Sequence, residues 1–103
     1  MSFAPIQQSV DEWIQSSTQG YFQPLQMIAR LTEELGELAR AVSYSSGEKV
    51  PKPNEQPEEV ADELCDLVFV AICLANSMHI DLDEAWKGLI TKLYQRDAGR
   101  WKQ

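Results

Sequence analysis

The sequence predicts an all-α fold, an antiparallel four-helix bundle-like domain that oligomerises through its long helices. Two observations carry this expectation. Apolar residues recur at three- and four-residue intervals in four separate stretches, the signature of amphipathic helices. Nowhere does an alternating apolar and polar run mark a half-buried strand. Amphipathic helices with short connections bury their stripes against one another, which makes a bundle the expected architecture.

The first helix is read from Ser9 to about Ser17, where Val10, Trp13 and Ile14 share a face. Thr18, Gln19 and Gly20 break it, and Pro24 suits the first turn of the second helix, where a missing N–H costs nothing. From Leu25 onward Ile28, Leu31, Leu35, Leu38 and Val42 predict one continuous buried stripe to about Tyr44. Gly47, Pro51, Pro53 and Asn54 then place a loop over Ser45 to Gln56. That is long for a connection without a functional reason. Pro57 is expected to open the third helix, with Glu58 and Glu59 complementing the dipole of its first turn. Its stripe is read as Val60, Leu64, Leu67, Ala71, Leu74 and Met78. The fourth helix starts after Asp81, whose spacing to Glu84 suits a capping box, and runs through Ala85, Leu89 and Leu93 toward Arg96, with Gly99 at its end. Further apolar residues flank the third stripe, at Val68, Phe69, Val70 and Ile72. They exceed what one copy can cover, so a homodimer or homotetramer is expected.

The chain's 103 residues allow one domain, 1–103, with a modest core. A hydrophobic fraction of 44% and a charged fraction of 24% are those of a folded chain. The net charge of −7 argues against a nucleic-acid polymer as partner, since few cations are present to neutralise phosphates. An acidic protein still binds a small anion when a divalent cation bridges the two. Cys65 and Cys73 form no C-x-x-C pair and lie far from a histidine ligand set, so no zinc site is expected. Neither a signal-peptide order nor a membrane-length apolar run is present, and a cytoplasmic location follows as the expectation.

The middle of the second helix repeats in the middle of the third. Glu33-Glu34-Leu35-Gly36-Glu37-Leu38 aligns with Asp62-Glu63-Leu64-Cys65-Asp66-Leu67, each reading acid, Glu, Leu, small, acid, Leu. Glu34 and Glu37 lie one turn apart on a helix face, as do Glu63 and Asp66, beside the apolar stripes that would pack together. Four carboxylates brought together this way form an all-oxygen site suited to magnesium, or manganese in its place. The competing explanation is a solvated acidic face paired with cations. It has some force on the second helix, where Arg30 is within reach of Glu34 and Arg40 of Glu37. It has less on the third, because no Lys or Arg occurs between Lys52 and Lys87.

With these motifs the chain resembles the MazG-like all-α nucleoside triphosphate pyrophosphohydrolases, whose signature is E-x-x-E followed after a gap by E-x-x-D. Here Glu34-x-x-Glu37 and Glu63-x-x-Asp66 stand 25 residues apart, and EELGELAR, ADELCDLVFVAICLANS and KLYQRDAGRW look like the short single-domain bacterial members. The resemblance implies hydrolysis of a nucleoside triphosphate to the monophosphate and pyrophosphate with magnesium on the four acids. Glu33, beside Glu34 and one turn before Glu37, is the candidate general base. Lys92 and Arg96, with Arg100 at the next four-residue step, resemble the family's phosphate-binding cations; the competing role is to complement the helix dipole. Asn76 lies where relatives place an amide near the phosphates. Trp13, Tyr21 and Phe22 precede the acidic helix, where the family's base pocket is often built, and are candidates for an aromatic wall with Trp13 and Phe22 ahead; Trp86 and Trp101 are alternatives, although a Trp at helical spacing more often packs in a core. Glu59 is a candidate outer ligand, and His79 a helix-end residue. The alternatives to an enzyme are a helical interaction module and a catalytically silent nucleotide sensor.

Overall fold

The computed structural model describes residues 2–97. Its order is α1 (Ala4–Ser17), α2 (Pro24–Ser45), α3 (Val60–Ser77) and α4 (Leu82–Lys92), followed by a π-helical turn over Leu93–Asp97. No strand occurs among the described residues. The expected helix end at Gly99, and Arg100 and Trp101, lie outside the described residues.

The longest helices, α2 and α3, form the principal packed pair. They run antiparallel: Met27, early in α2, lines a cleft with Val70 and Cys73, whereas Tyr44, at its end, meets Pro57 and Glu58 just before α3. On α2 the stripe turned toward the core is Met27, Leu31, Glu34, Leu38 and Ala41, at alternating four- and three-residue steps. This corrects the expected single stripe. Ile28, Leu35 and Val42 lie on the neighbouring face and are exposed, Leu35 at 56%. Two apolar rows sit side by side on this helix, and α3 covers only one. On α3 the matching row is Glu63, Leu67, Val70 and Leu74, while Leu64 and Met78, assigned to it from sequence, are exposed.

Val10 and Ile14 of α1 complete a small core with Met27, Val70, Ile72 and Cys73. The helix begins at Ala4, five residues before the expected Ser9, because its cap comes from elsewhere in the chain. The Asp83 carboxylate accepts the Phe3 N–H at 2.7 Å, the Ala4 N–H at 3.2 Å and the Ser2 hydroxyl at 2.9 Å. Those donors hold Asp83 below the usual carboxyl range, the Phe3 N–H first among them. Pro5 in the first turn has no N–H to satisfy.

The third helix begins at Val60, not Pro57. Glu59 is its extended N-cap, and Asp62 and Glu63 are the first-turn acids that Glu58 and Glu59 were expected to be. The chain before it is pinned along the end of α2 instead. Glu55 accepts Arg40 Nη2 at 2.8 Å and the Lys52 N–H at 2.9 Å, and Pro57 lines a recess with Ala41 and Tyr44.

At the end of α3 the Ile80 N–H reaches the Ala75 carbonyl at 2.8 Å and the His79 N–H reaches Asn76 at 3.1 Å, with His79 left-handed at φ 57°. This is a Schellman ending, so His79 is a helix-end residue as expected. The chain then turns through 109° into α4. Asp81 caps α4, accepting the N–H groups of Asp83 at 2.9 Å and Glu84 at 3.3 Å. The all-α class is as expected, but α4 does not lie along its neighbours. The radius of gyration is correspondingly 17.0 Å, against about 13 Å for a closed globule of this length. Among the described residues no single helix is long and apolar enough to cross a membrane.

Candidate active site

Glu34 and Glu63 occupy core positions on the two packed helices, which is where a solvated acidic face would not put them. Glu63 is 5% exposed, and the Glu34 side chain 16%. One turn along α3 from Glu63, Asp66 is exposed at the edge of the pair. Carboxylate oxygens of Glu34, Glu63 and Asp66 all lie within 4.8 Å of one another. Glu37, one turn beyond Glu34, borders a recess of about 120 Å³ with Arg40, Tyr44, Gln56, Pro57 and Glu58. Its charge is felt at Glu63. Burial pushes the Glu63 carboxyl above its usual range, and Asp66, Glu37, Glu58 and Glu34 add repulsion in that order.

Among the described residues Arg30 is the sole cation within ion-pair distance of this cluster, 3.7 Å from Glu34. Arg40, which the sequence places within reach of Glu37, pairs with Glu55 instead. The loop supplies a closer carboxylate there than the helix does. An all-oxygen donor set, one member buried and short of cations, fits a hard divalent ion such as magnesium or manganese. Three of the four motif acids are thus brought together, and Glu37 lies outside the converging group, its charge still felt at Glu63.

The other candidates fall in different places. Glu33 is exposed on α2 beside Glu34, outside the converging group. Trp13 and Phe22 line a cleft of about 390 Å³ with Tyr21, Met27, Arg30, Phe69, Val70 and Cys73. Trp13 meets Phe69 edge-on, ring centroids 5.8 Å apart, so it forms a wall of this cleft and not part of the core. Phe69 and Arg30 are cleft residues that sequence reasoning missed. Only the four-residue step from Arg30 to Glu34 was a readable signal. The Asn76 amide is engaged with α1: its Nδ2 donates to the Gln7 carbonyl at 2.9 Å and to the Tyr21 hydroxyl at 3.0 Å, and its Oδ1 accepts Gln7 Nε2 at 2.9 Å. The Tyr21 hydroxyl donates to Asp11 at 2.7 Å. Burial and that carboxylate raise the Tyr21 pKa to about 12. Asn76 therefore holds Tyr21 at the rim of the cleft. Lys92 and Arg96 are exposed at the far end of α4 and its π turn, bordering neither the cleft nor the recess beside Glu37.

The raised Glu63 carboxyl has a signed consequence. In the metal-free protein the folded state binds a proton more readily than the unfolded chain, so stability falls as pH rises through the interval above the ordinary value of 4.5. A divalent ion needs the ionised form, so its stabilisation grows over the same interval. Thermal melts across pH, with and without magnesium, are expected to show the magnesium increment shrinking as pH falls toward the ordinary carboxyl value of 4.5. An increment that persists undiminished down to pH 4.5 excludes Glu63 as a ligand.

The family described as MazG nucleotide pyrophosphohydrolase domain matches residues 22–101. An uncharacterized Bacillus subtilis (strain 168) protein, YpjD, is 49% identical over 96 residues, covering 93% of this chain and 86% of its own length. The crystal structure of YPJD from Bacillus subtilis matches with a TM-score of 0.77 at 47% identity, over 89% of this chain and 94% of that one. The crystal structure of the Bacillus-conserved MazG protein, a nucleotide pyrophosphohydrolase, matches with a TM-score of 0.78 at 42% identity, over 93% of each chain.

Proposed function

This chain belongs to the MazG nucleotide pyrophosphohydrolase family and is a hydrolase of phosphoanhydride bonds; from that premise we propose that it cleaves a (deoxy)nucleoside triphosphate to the monophosphate and pyrophosphate, serving nucleotide-pool house-cleaning. The observation that carries the reading is the convergence of Glu34, Glu63 and Asp66 within 4.8 Å, beside an aromatic cleft.

Glu34, Glu37, Glu63 and Asp66 hold magnesium in this reading. When bound, the ion would offset carboxylate and phosphate charge and make the attacking water more acidic. Trp13, Phe22 and Phe69 take the base, and packing against them excludes water from one side of the substrate. A water oxygen bonds to the α-phosphorus as the bond from that phosphorus to the bridging oxygen breaks. Pyrophosphate departs with the electron pair. Glu33, exposed beside the cluster, takes the water proton and passes it to solvent. Lys92 and Arg96 are assigned to the outer phosphates. At the end of α4 and on its π turn they do not line the cleft of their own chain, which supports a homodimer or homotetramer in which a neighbouring copy supplies them. The uncovered row Leu25, Ile28, Leu35 and Val42 on α2, with Leu64 and Val68 on α3, is the apolar surface for that assembly.

The test is a panel of standard and modified (d)NTPs with and without magnesium, assayed for pyrophosphate. Magnesium-dependent product is expected from the wild type. Glu37→Gln and Asp66→Asn are expected to lose it with helix content intact. Nucleotide binding without product in the wild type replaces the enzyme with a sensor. Turnover persisting in both variants removes the metal-cluster mechanism.

A further inference from the structure

Arg30 stands where the aromatic cleft and the acid cluster meet. It lines the cleft with Trp13, Phe22 and Phe69, and its Nη2 lies 3.7 Å from Glu34. That is an ion-pair distance, beyond the roughly 2.7–2.9 Å of a charge-assisted hydrogen bond. Its side chain is 51% exposed, and its guanidinium makes no hydrogen bond among the described residues. Arg40, by contrast, is committed to Glu55 at 2.8 Å. Arg30 is therefore a loosely held fork of donors at a junction.

The order of a nucleoside triphosphate decides what passes that junction. With the base among the aromatic rings and the outer phosphates toward the carboxylates, the group between them is the α-phosphoryl, the centre that reacts. Resting on the function proposed above, we propose that Arg30 is a catalytic residue that grips the non-bridging oxygens of the α-phosphoryl group. Its planar fork matches two phosphoryl oxygens, a fit an ammonium lacks. With Glu34 committed to a metal, the guanidinium's charge faces the phosphoryl. The water oxygen bonds to the α-phosphorus and pyrophosphate leaves from the opposite side, while Arg30 exchanges no proton and stabilises the charge on the spectator oxygens.

Arg30→Gln and Arg30→Lys in the full chain test this by two independent measurements. The first is kcat and KM for pyrophosphate release with magnesium. The second is binding, without metal, of the standard 2′-deoxynucleoside 5′-monophosphates and of the matching nucleosides, followed by tryptophan fluorescence. Arg30→Gln is expected to lower kcat by about 10²-fold or more, as removal of a transition-state donor does. It should also weaken monophosphate binding and leave nucleoside binding alone. Arg30→Lys should recover the charge but only part of the rate. Unchanged kcat and unchanged monophosphate affinity in Arg30→Gln overturn the proposal. So does a loss that the nucleosides share, because that is the mark of a structural partner for Glu34. A wild type that releases no pyrophosphate from any nucleotide strikes the proposed function instead, and the monophosphate against nucleoside comparison still decides Arg30.

Discussion

Glu63→Gln is expected to abolish pyrophosphate release and, at neutral pH without metal, to melt at a higher temperature than the wild type. Glu63 takes a position in the α3 row that Leu67, Val70 and Leu74 otherwise fill, and it is 5% exposed. Burial and the charges of Asp66, Glu37, Glu58 and Glu34 all disfavour its ionised form. Glutamine keeps the shape and removes the charge, so it relieves a strain the fold carries for the site. A buried ligand oxygen is lost at the same time, and the rate should fall by about 10³-fold, at the upper end for one electrostatic group. The stability gain has a defined pH dependence: it shrinks as pH falls through the interval below the raised Glu63 pKa, and the two proteins should converge only below the ordinary value of 4.5, where Glu63 is neutral in the folded and the unfolded wild type alike. Calorimetric melts at several pH values, with and without magnesium, read both effects. A metal-free Glu63→Gln protein that melts below the wild type at neutral pH, or one that turns over normally, contradicts this account.

Met27→Ala should produce the largest loss of stability. Met27 is 2% exposed and joins Val10 and Ile14 of α1 to Val70, Ile72 and Cys73 of α3. Truncating a buried side chain of this size costs about 2–5 kcal/mol. Domains of this size hold only about 5–15 kcal/mol in total. The midpoint of thermal unfolding should drop by about 10 °C or more. Met27 also forms the floor of the aromatic cleft, so the vacated volume opens beside it and the surviving folded protein should bind nucleosides less selectively. Urea unfolding with an unchanged m-value and a cost below about 1 kcal/mol would show that Met27 does not tie the helices together.

Most of the secondary structure was legible because its signals are local. The period of Val10 and Ile14, the Pro24 start and the Asp81 cap each act within a turn or two of themselves. The misplaced boundaries have remote causes. Asp83 caps α1 across 80 residues, and Glu55, held by Arg40, keeps Pro57 out of α3. The duplicated acidic motif was legible for the same local reason, since Glu34 and Glu37, or Glu63 and Asp66, share a face whatever packs against them. The aromatic cleft was legible only in part: Trp13, Tyr21 and Phe22 were singled out by the family resemblance, from their place before the acidic helix, whereas Phe69 reaches Trp13 from a helix 56 residues later.

The sequence by itself determined that the chain is helical, where its acids recur and which family it belongs to, because a helix repeats its geometry every few residues and writes that repeat into the chain. Tertiary structure alone decided which of two adjacent apolar rows on α2 is covered, that Glu63 is the buried member of the acid cluster, and that Arg30 rather than Arg40 faces it. The rotation and register of one helix against another settle those questions. A shift of one residue turns a helix by about 100° and exchanges a core position for an exposed one, with no change in local pattern.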